Sequence, residues 1–160
     1  MLASSHTPQT NDKKLKARLW LELLMVNRQI ETELRSRFRQ RLKSSLPRFD
    51  VMAALARNPD GLRMSELAGE LLVANGNITA LVERLVADGL VERANMPRDR
   101  RTVHVHLTPK GNAEFTRMRA VHDDWLHEIL GHVPTADART VLTLVSRFAT
   151  AHEPTAATGL

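Results

Sequence analysis

LRMSELAGELLVANGNITALVERLVADGLVERANMPRDRRTVHVHLT, residues Leu62 to Thr108, is the stretch that decides the fold. Ser65 to Leu72 reads as a short helix, followed by the turn Val73–Ala74–Asn75–Gly76. A second helix runs to about Asp88, because Ile78, Leu81, Val82, Leu85 and Val86 recur at i, i+3, i+4, i+7 and i+8 and form one buried stripe. Gly89 closes it, as a glycine just past a helix end does. Val91 to Met96 and Thr102 to Thr108 are two extended segments around Pro97–Arg98–Asp99–Arg100–Arg101. In the second, Val103, Val105 and Leu107 alternate with Thr102, His104 and His106, the pattern of a half-buried strand. Two helices at helix-turn-helix spacing and a basic hairpin make a unit suited to gripping duplex DNA.

Outward from this stretch the chain is helical. Met1 to Asp12 is polar and expected to be flexible, and Lys13 to about Lys43 carries Leu15, Leu19, Leu23, Val26, Ile30 and Leu34 at helical spacing. Pro47 suits the first turn of the next helix, which carries Phe49, Met52 and Leu55 and stops at Asn58–Pro59–Asp60–Gly61. Thr108 is placed to cap a further helix with Pro109 at its first position. That helix carries Phe115, Met118, Val121, Trp125 and Ile129 and ends at Gly131. Pro134 precedes a last helix with Val141, Leu142, Leu144, Val145 and Phe148. The expected organisation is a single mainly α domain over residues 13–153 with a small β-hairpin wing. Its winged helix-turn-helix core covers about 46–108, dimerisation helices cover about 13–43 and 109–152, and 154–160 form a flexible tail. The outer helices are too apolar to stand alone, and a second copy of the chain is the simplest cover for them.

Composition narrows the function. The 160 residues carry a formal net charge of +5, which favours a polyanionic partner. Cysteine is absent, which excludes disulfides, thiol nucleophiles and cysteine-type zinc sites. No apolar run reaches membrane-spanning length, and Leu2 to Lys14 lacks the apolar core of a signal peptide, so a cytoplasmic location is expected.

With the apolar stripe turned inward, the second helix presents Gly76, Asn77, Ala80, Glu83 and Arg84 outward. Asn77 suits an adenine edge, and Thr79 a phosphate or a thymine methyl. Arg84 suits a phosphate, a contact that positions without specifying. Backbone amides from Asn75 to Ile78 lie at a helix N-terminus, where phosphate binds readily, although Asn75 is as good a helix cap as a base reader. At the hairpin, Arg98, Arg100 and Arg101 surround Asp99. An arginine there can enter a narrow A·T-rich minor groove, with a neighbouring carboxylate fixing its orientation.

Ser65–Glu66–Leu67–Ala68, then Asn77–Ile78–Thr79–Ala80–Leu81–Val82–Glu83–Arg84–Leu85, then Gly89–Leu90–Val91–Glu92–Arg93 resembles the MarR family of winged-helix regulators. Asp99–Arg100–Arg101 followed by Leu107–Thr108–Pro109–Lys110–Gly111 is similar to that family's wing and the entry to its fifth helix. The resemblance covers roughly residues 15 to 150. It implies a homodimer joined through N- and C-terminal helices, with an inducer site between those helices and the DNA lobes. It also implies that Asp99 orients Arg101 and that Arg101 enters the minor groove. The chain departs from the pattern at Ala74, where many members have a capping serine, and at Ala80, where many have a long polar reader. Asn75, Asn77 and DNA shape are therefore expected to carry more of the specificity.

Leu46–Pro47–Arg48–Phe49–Asp50 and the arginine-rich end of the first helix look like the subgroup that senses hydroxycinnamoyl-CoA thioesters and controls aromatic catabolism. On that resemblance Trp20, Phe38, Phe49 and Trp125 line an apolar slot, and Arg35, Arg37, Arg39 and Arg41 meet the CoA phosphates. Helical geometry splits these arginines into two stripes, Arg35 with Arg39 and Arg37 with Arg41, so they cannot all face one ligand. The competing readings are a solvated arginine face over core aromatics, a DNA binder without effector, and a protein-binding winged helix. Metal sensing through His104 and His106 is a weaker alternative, because His122, His127 and His132 share no helix face. No cofactor is expected. Catalysis is not expected either, since Asp123–Asp124 with His122 and His127 comes without a nucleophile triad, phosphate loop or metal-ligand spacing.

Overall fold

The computed structural model describes residues 8–71, 78–96 and 99–151, with α1 at Pro8–Arg41, α2 at Leu46–Arg57, α3 at Met64–Glu70 and α4 at Ile78–Ala87. Two strands follow, β1 at Val91–Met96 and β2 at Asp99–Leu107, then α5 at Pro109–Ile129 and α6 at Thr135–Ala151. The chain divides into two compact units, residues 1–122 and 123–160, with the boundary inside α5.

In the first unit α2 is the hub, packed against α1, α3, α4 and β2. Six of its residues are buried, Leu46, Phe49, Val51, Met52, Ala54 and Leu55, so it is apolar around most of its circumference, as a central helix must be. Sequence periodicity shows only one stripe of these, Phe49, Met52 and Leu55. Pro47 lies in its first turn, as expected. The most deeply buried of the remaining core residues are Phe38, Leu67, Val82, Leu85, Val91, Val105 and Met118, none more than 1% exposed. Along α1 burial rises toward the C-terminus: Leu15 is 66% exposed, Val26 50% and Leu34 5%. The helix starts at Pro8 rather than at Lys13, and its early turns include an Asp12–Lys16 ion pair of 2.7 Å. At its other end Lys43 takes a left-handed φ of 52° while the Ser44 N–H donates to the Phe38 carbonyl at 3.2 Å. That bond spans the last turn and directs the chain into α2.

Leu62 links the helix-turn-helix to the wing. It exchanges backbone hydrogen bonds with Val105, 3.1 and 2.8 Å long, beside the antiparallel β1–β2 pair. Gly61 is required just before it: its φ is +78°, and a Cβ there would lie 2.8 Å from the Val105 carbonyl oxygen and 2.5 Å from His106 Nδ1. Two apolar positions depart from the sequence pattern. Val86 is 37% exposed, because it lies about 80° around the helix from Ile78, at the rim of the stripe. Val103 is 48% exposed although Val105 is fully buried; the sheet has only two strands, and its cover ends at the Leu62 bridge.

In the second unit Trp125 is buried, but α6 leaves Val141, Leu142, Leu144, Val145 and Phe148 between 42% and 67% exposed. No helix among the described residues is long and apolar enough to cross a membrane.

Candidate nucleic-acid interface

The candidate DNA-facing surface is built on α3, α4 and the wing. The Arg63 N–H donates to the Glu66 carboxylate at 2.8 Å, which satisfies one open amide at the start of α3. At the other end of α3, Glu70 accepts from Arg57 at 3.1 Å and from Asn58 at 3.3 Å, joining it to the end of α2. On α4, Ile78, Val82 and Leu85 are buried, while Thr79, Glu83 and Arg84 are exposed and Ala80 is half-buried. Asn75, Gly76, Asn77 and Arg98 lie outside the described residues.

The wing differs from its expected form. Asp99, Arg100 and Arg101 belong to β2 rather than to a loop between the strands. Pairing is regular from Val91↔Leu107 to Asn95↔Val103 and then jumps to Met96↔Asp99. The jump puts Arg100, Arg101 and Thr102 into a bulge on β2 with no partners across from them. Such an insertion bends a strand, and bulges are frequent beside functional sites.

The C-terminal end of α4 is tied down by the start of α5. Thr108 Oγ1 accepts from the Gly111 N–H at 3.0 Å, the N-cap bond anticipated from sequence, and also donates to the Gly89 carbonyl at 2.7 Å. The Thr108 N–H donates to the Leu90 carbonyl at 3.1 Å, and Lys110 Nζ to that of Asp88 at 2.8 Å. Gly111 permits this approach, since a Cβ there would lie 1.9 Å from the Leu90 oxygen. Sequence reading found the cap but not the other half of the clamp, because Gly89 is 19 residues away along the chain.

The proposed effector residues are only partly brought together. Phe38 and Phe49 meet at a tilt in the core, 5.2 Å between ring centroids, and Phe49 stacks on Phe115 at 5.6 Å and on His122 at 4.6 Å. Trp20 is 63% exposed and lies about 27 Å from Phe38 along α1. Trp125 is buried in the second unit. Arg35 pairs with Glu31 at 3.2 Å and Arg37 with Glu33 at 2.7 Å, whereas Arg39 and Arg41 occupy the exposed last turn of α1. Sequence reading assigned no role of its own to Asp50. Burial, and then the negative charge of Glu31, raise its carboxyl from the ordinary 3.8 to about 6, against the opposing pull of His122, Arg35 and Arg57. His104 and His106 lie 6.4 Å apart between ring centroids, and no group of three metal-ligating side chains occurs among the described residues.

The family model described as MarR family matches residues 45–102. A MarR family transcriptional regulator from Silicibacter pomeroyi is 32% identical, with a TM-score of 0.75 over 89% of this chain and 98% of that one. A MarR family regulator from Streptomyces coelicolor, solved in complex with DNA, shares the fold at 23% identity, with a TM-score of 0.73 over 90% of this chain and 92% of its own. The transcriptional repressor IacR of Pseudomonas putida is 30% identical over 90 residues, 56% of this chain and 53% of its own. The chain spans about half the length of the curated relatives it matches. With its helix-turn-helix, two-stranded wing and matched end-to-end relative, the chain belongs to the MarR family of DNA-binding transcriptional regulators, not to a class of enzymes.

Proposed function

We propose that the protein is a homodimeric, cytoplasmic repressor that leaves a pseudo-palindromic operator when it binds a small aromatic acid or the CoA thioester of one. The observation that carries the dimer is the unburied apolar surface of α1 and α6, where Leu15, Trp20, Leu142 and Phe148 are all more than half exposed. A monomer would leave this surface in water, whereas a second copy would cover it. In this reading each α4 enters a major groove, the two about one duplex turn (~34 Å) apart, and each wing reaches the adjoining minor groove. Asn75, Gly76, Asn77, Thr79, Ala80 and Arg84 serve the major groove, and Arg98, Asp99, Arg100 and Arg101 serve the wing. The bulge at Arg100–Thr102 supports a special role for that segment.

Repression is supported by the relative named a repressor. The effector class rests on the resemblance around Leu46–Asp50 and on the exposed Arg39 and Arg41. Binding of effector would favour a separation of the two lobes that no longer fits the operator, a shift in population set by differential affinity.

The test is to select a duplex from a random pool with the protein itself, then titrate it at several salt concentrations with a panel of aromatic acids and their CoA thioesters. Arg101→Ala should weaken binding to all sequences and reduce the salt slope by about 1, whereas Asn77→Ala should relax preference at one position by about 1–3 kcal/mol. Normal binding by Arg101→Ala at every salt concentration would contradict the wing assignment. Binding unmoved by the whole panel would remove the aromatic effector and leave DNA binding standing.

A further inference from the structure

Asn58, which caps the end of α2, stands where three parts of the DNA-facing unit meet. A helix leaves its last four carbonyls without intrahelical partners. Asn58 supplies two of the missing donors: its backbone N–H gives to the Leu55 carbonyl at 3.1 Å, and its Nδ2 to the Ala54 carbonyl at 2.9 Å. Its own carbonyl accepts from the Gly61 N–H at 2.9 Å, which closes the turn into the Leu62–Val105 bridge of the wing. Nδ2 also donates to Glu70 Oε1 at 3.3 Å, on the last residue of α3. An amide nitrogen carries two protons, so both are used.

The tie to Glu70 matters because α3 has little else to hold it. The helix has seven residues, and Leu67 is the buried one among them. A single apolar anchor fixes a point and not a direction, and a helix this short gains little rigidity from its own hydrogen bonds. The Arg63–Glu66 bond is local to its first turn. Among the described residues, the side-chain hydrogen bonds that leave α3 beyond that cap are those of Glu70, from Asn58 and from Arg57 Nη2 at 3.1 Å. They form a second point of attachment three residues past Leu67, about 4.5 Å along the axis. Arg57 and Glu70 are 62% and 36% exposed, and ion pairs so exposed contribute little to stability. The contact therefore serves geometry more than folding.

We propose that Asn58 is a positioning residue for operator recognition. By holding Glu70 with its side chain and Gly61 with its carbonyl, it sets α3 and the wing in one fixed relation to the end of α2. In a helix-turn-helix the first helix crosses the phosphate backbone while the second enters the major groove, so a turned α3 carries α4 out of register. The step from this geometry to operator affinity rests on the DNA mode proposed above; the hold on α3 does not.

Three variants separate the hold on α3 from the cap on α2. Glu70→Ala removes the tie and leaves the bond to the Ala54 carbonyl. Asn58→Asp removes both side-chain donors and sets a carboxylate against Glu70. Adding Glu70→Gln to Asn58→Asp restores one hydrogen bond in the opposite sense, since a glutamine amide donates to a carboxylate. The readout is the ratio of affinity for the selected duplex to that for a random duplex at one salt concentration, in which shared charge effects cancel. Glu70→Ala should lower the ratio about fivefold and Asn58→Asp about tenfold, and the double variant should return to within about threefold of the wild type. Amide hydrogen exchange without DNA should quicken at Leu67 and Leu71 in Glu70→Ala and stay unchanged at Leu85. Unchanged exchange in α3 would overturn the hold on that helix. An unchanged ratio with a lowered urea midpoint, or a double variant no better than Asn58→Asp, would overturn the positioning role. Should Asn58→Asp fail to fold, Glu70→Ala decides, because it keeps the cap on α2. The exchange readout needs no DNA, so failure of the operator reading is seen separately.

Discussion

The helix-turn-helix with its wing and the two outer apolar faces handle hydrophobic surface in opposite ways. Between Leu46 and Val105 the apolar positions close on one another, and Val51, Met52, Leu67, Val82 and Leu85 are fully buried. On the first half of α1 and along α6, residues equally apolar stay about half in water. The first region is specified by its own chain. The second is left uncovered among the described residues, and in the proposed reading its cover is a second copy of the chain.

The largest effect that tests this contrast is a cavity in the closed region. Leu85→Ala should cost about 2–5 kcal/mol in urea unfolding, with no dependence on protein concentration beyond that of the wild type. A cost below about 1 kcal/mol would mean that this core does not stand by itself. Next comes Leu142→Asp on α6, which should weaken self-association about 30-fold, or 2 kcal/mol, in sedimentation while the circular dichroism of the helices is retained. Unchanged association would move the dimer contact off α6.

The smallest effect concerns Asp50. Its carboxyl titrates higher in the fold than in the unfolded chain, so the folded state favours the proton. The associated stability is present below pH 3.8 and is lost as pH rises through about 6. Asp50→Asn should therefore match the wild type at the acid end and exceed it above pH 6, by about 1 kcal/mol once solvent screening is allowed for. A thermal-melting difference that does not vary with pH would contradict the burial account.

What the sequence revealed follows the same division. Local signals were legible: the α4 stripe, the turn at Asn58–Gly61, Pro47, the Thr108 cap and β1 appear where periodicity and turn chemistry place them, whereas β2 begins three residues earlier, at Asp99. The exposed rim at Val86 and Val103 was not, because alternation shows which face a residue takes and not where the cover ends. The wing bulge was also hidden, since hairpin register depends on backbone pairing that composition does not encode. Contacts distant in sequence were least visible: nothing near Arg48 announces Asp88, and nothing near Thr108 announces Gly89. Among the candidate effector residues, helical spacing divides the four arginines between two faces, but it could not show that Phe38 and Phe49 fill the core while Trp20 stands in solvent.

The most direct test of the central claim is the stoichiometry of the protein on its own selected duplex, measured by sedimentation velocity. The account predicts two protomers per duplex at saturation, with protected half-sites centred about one turn, ~34 Å, apart. A saturated complex with one protomer per duplex, or a single protected half-site, would contradict it.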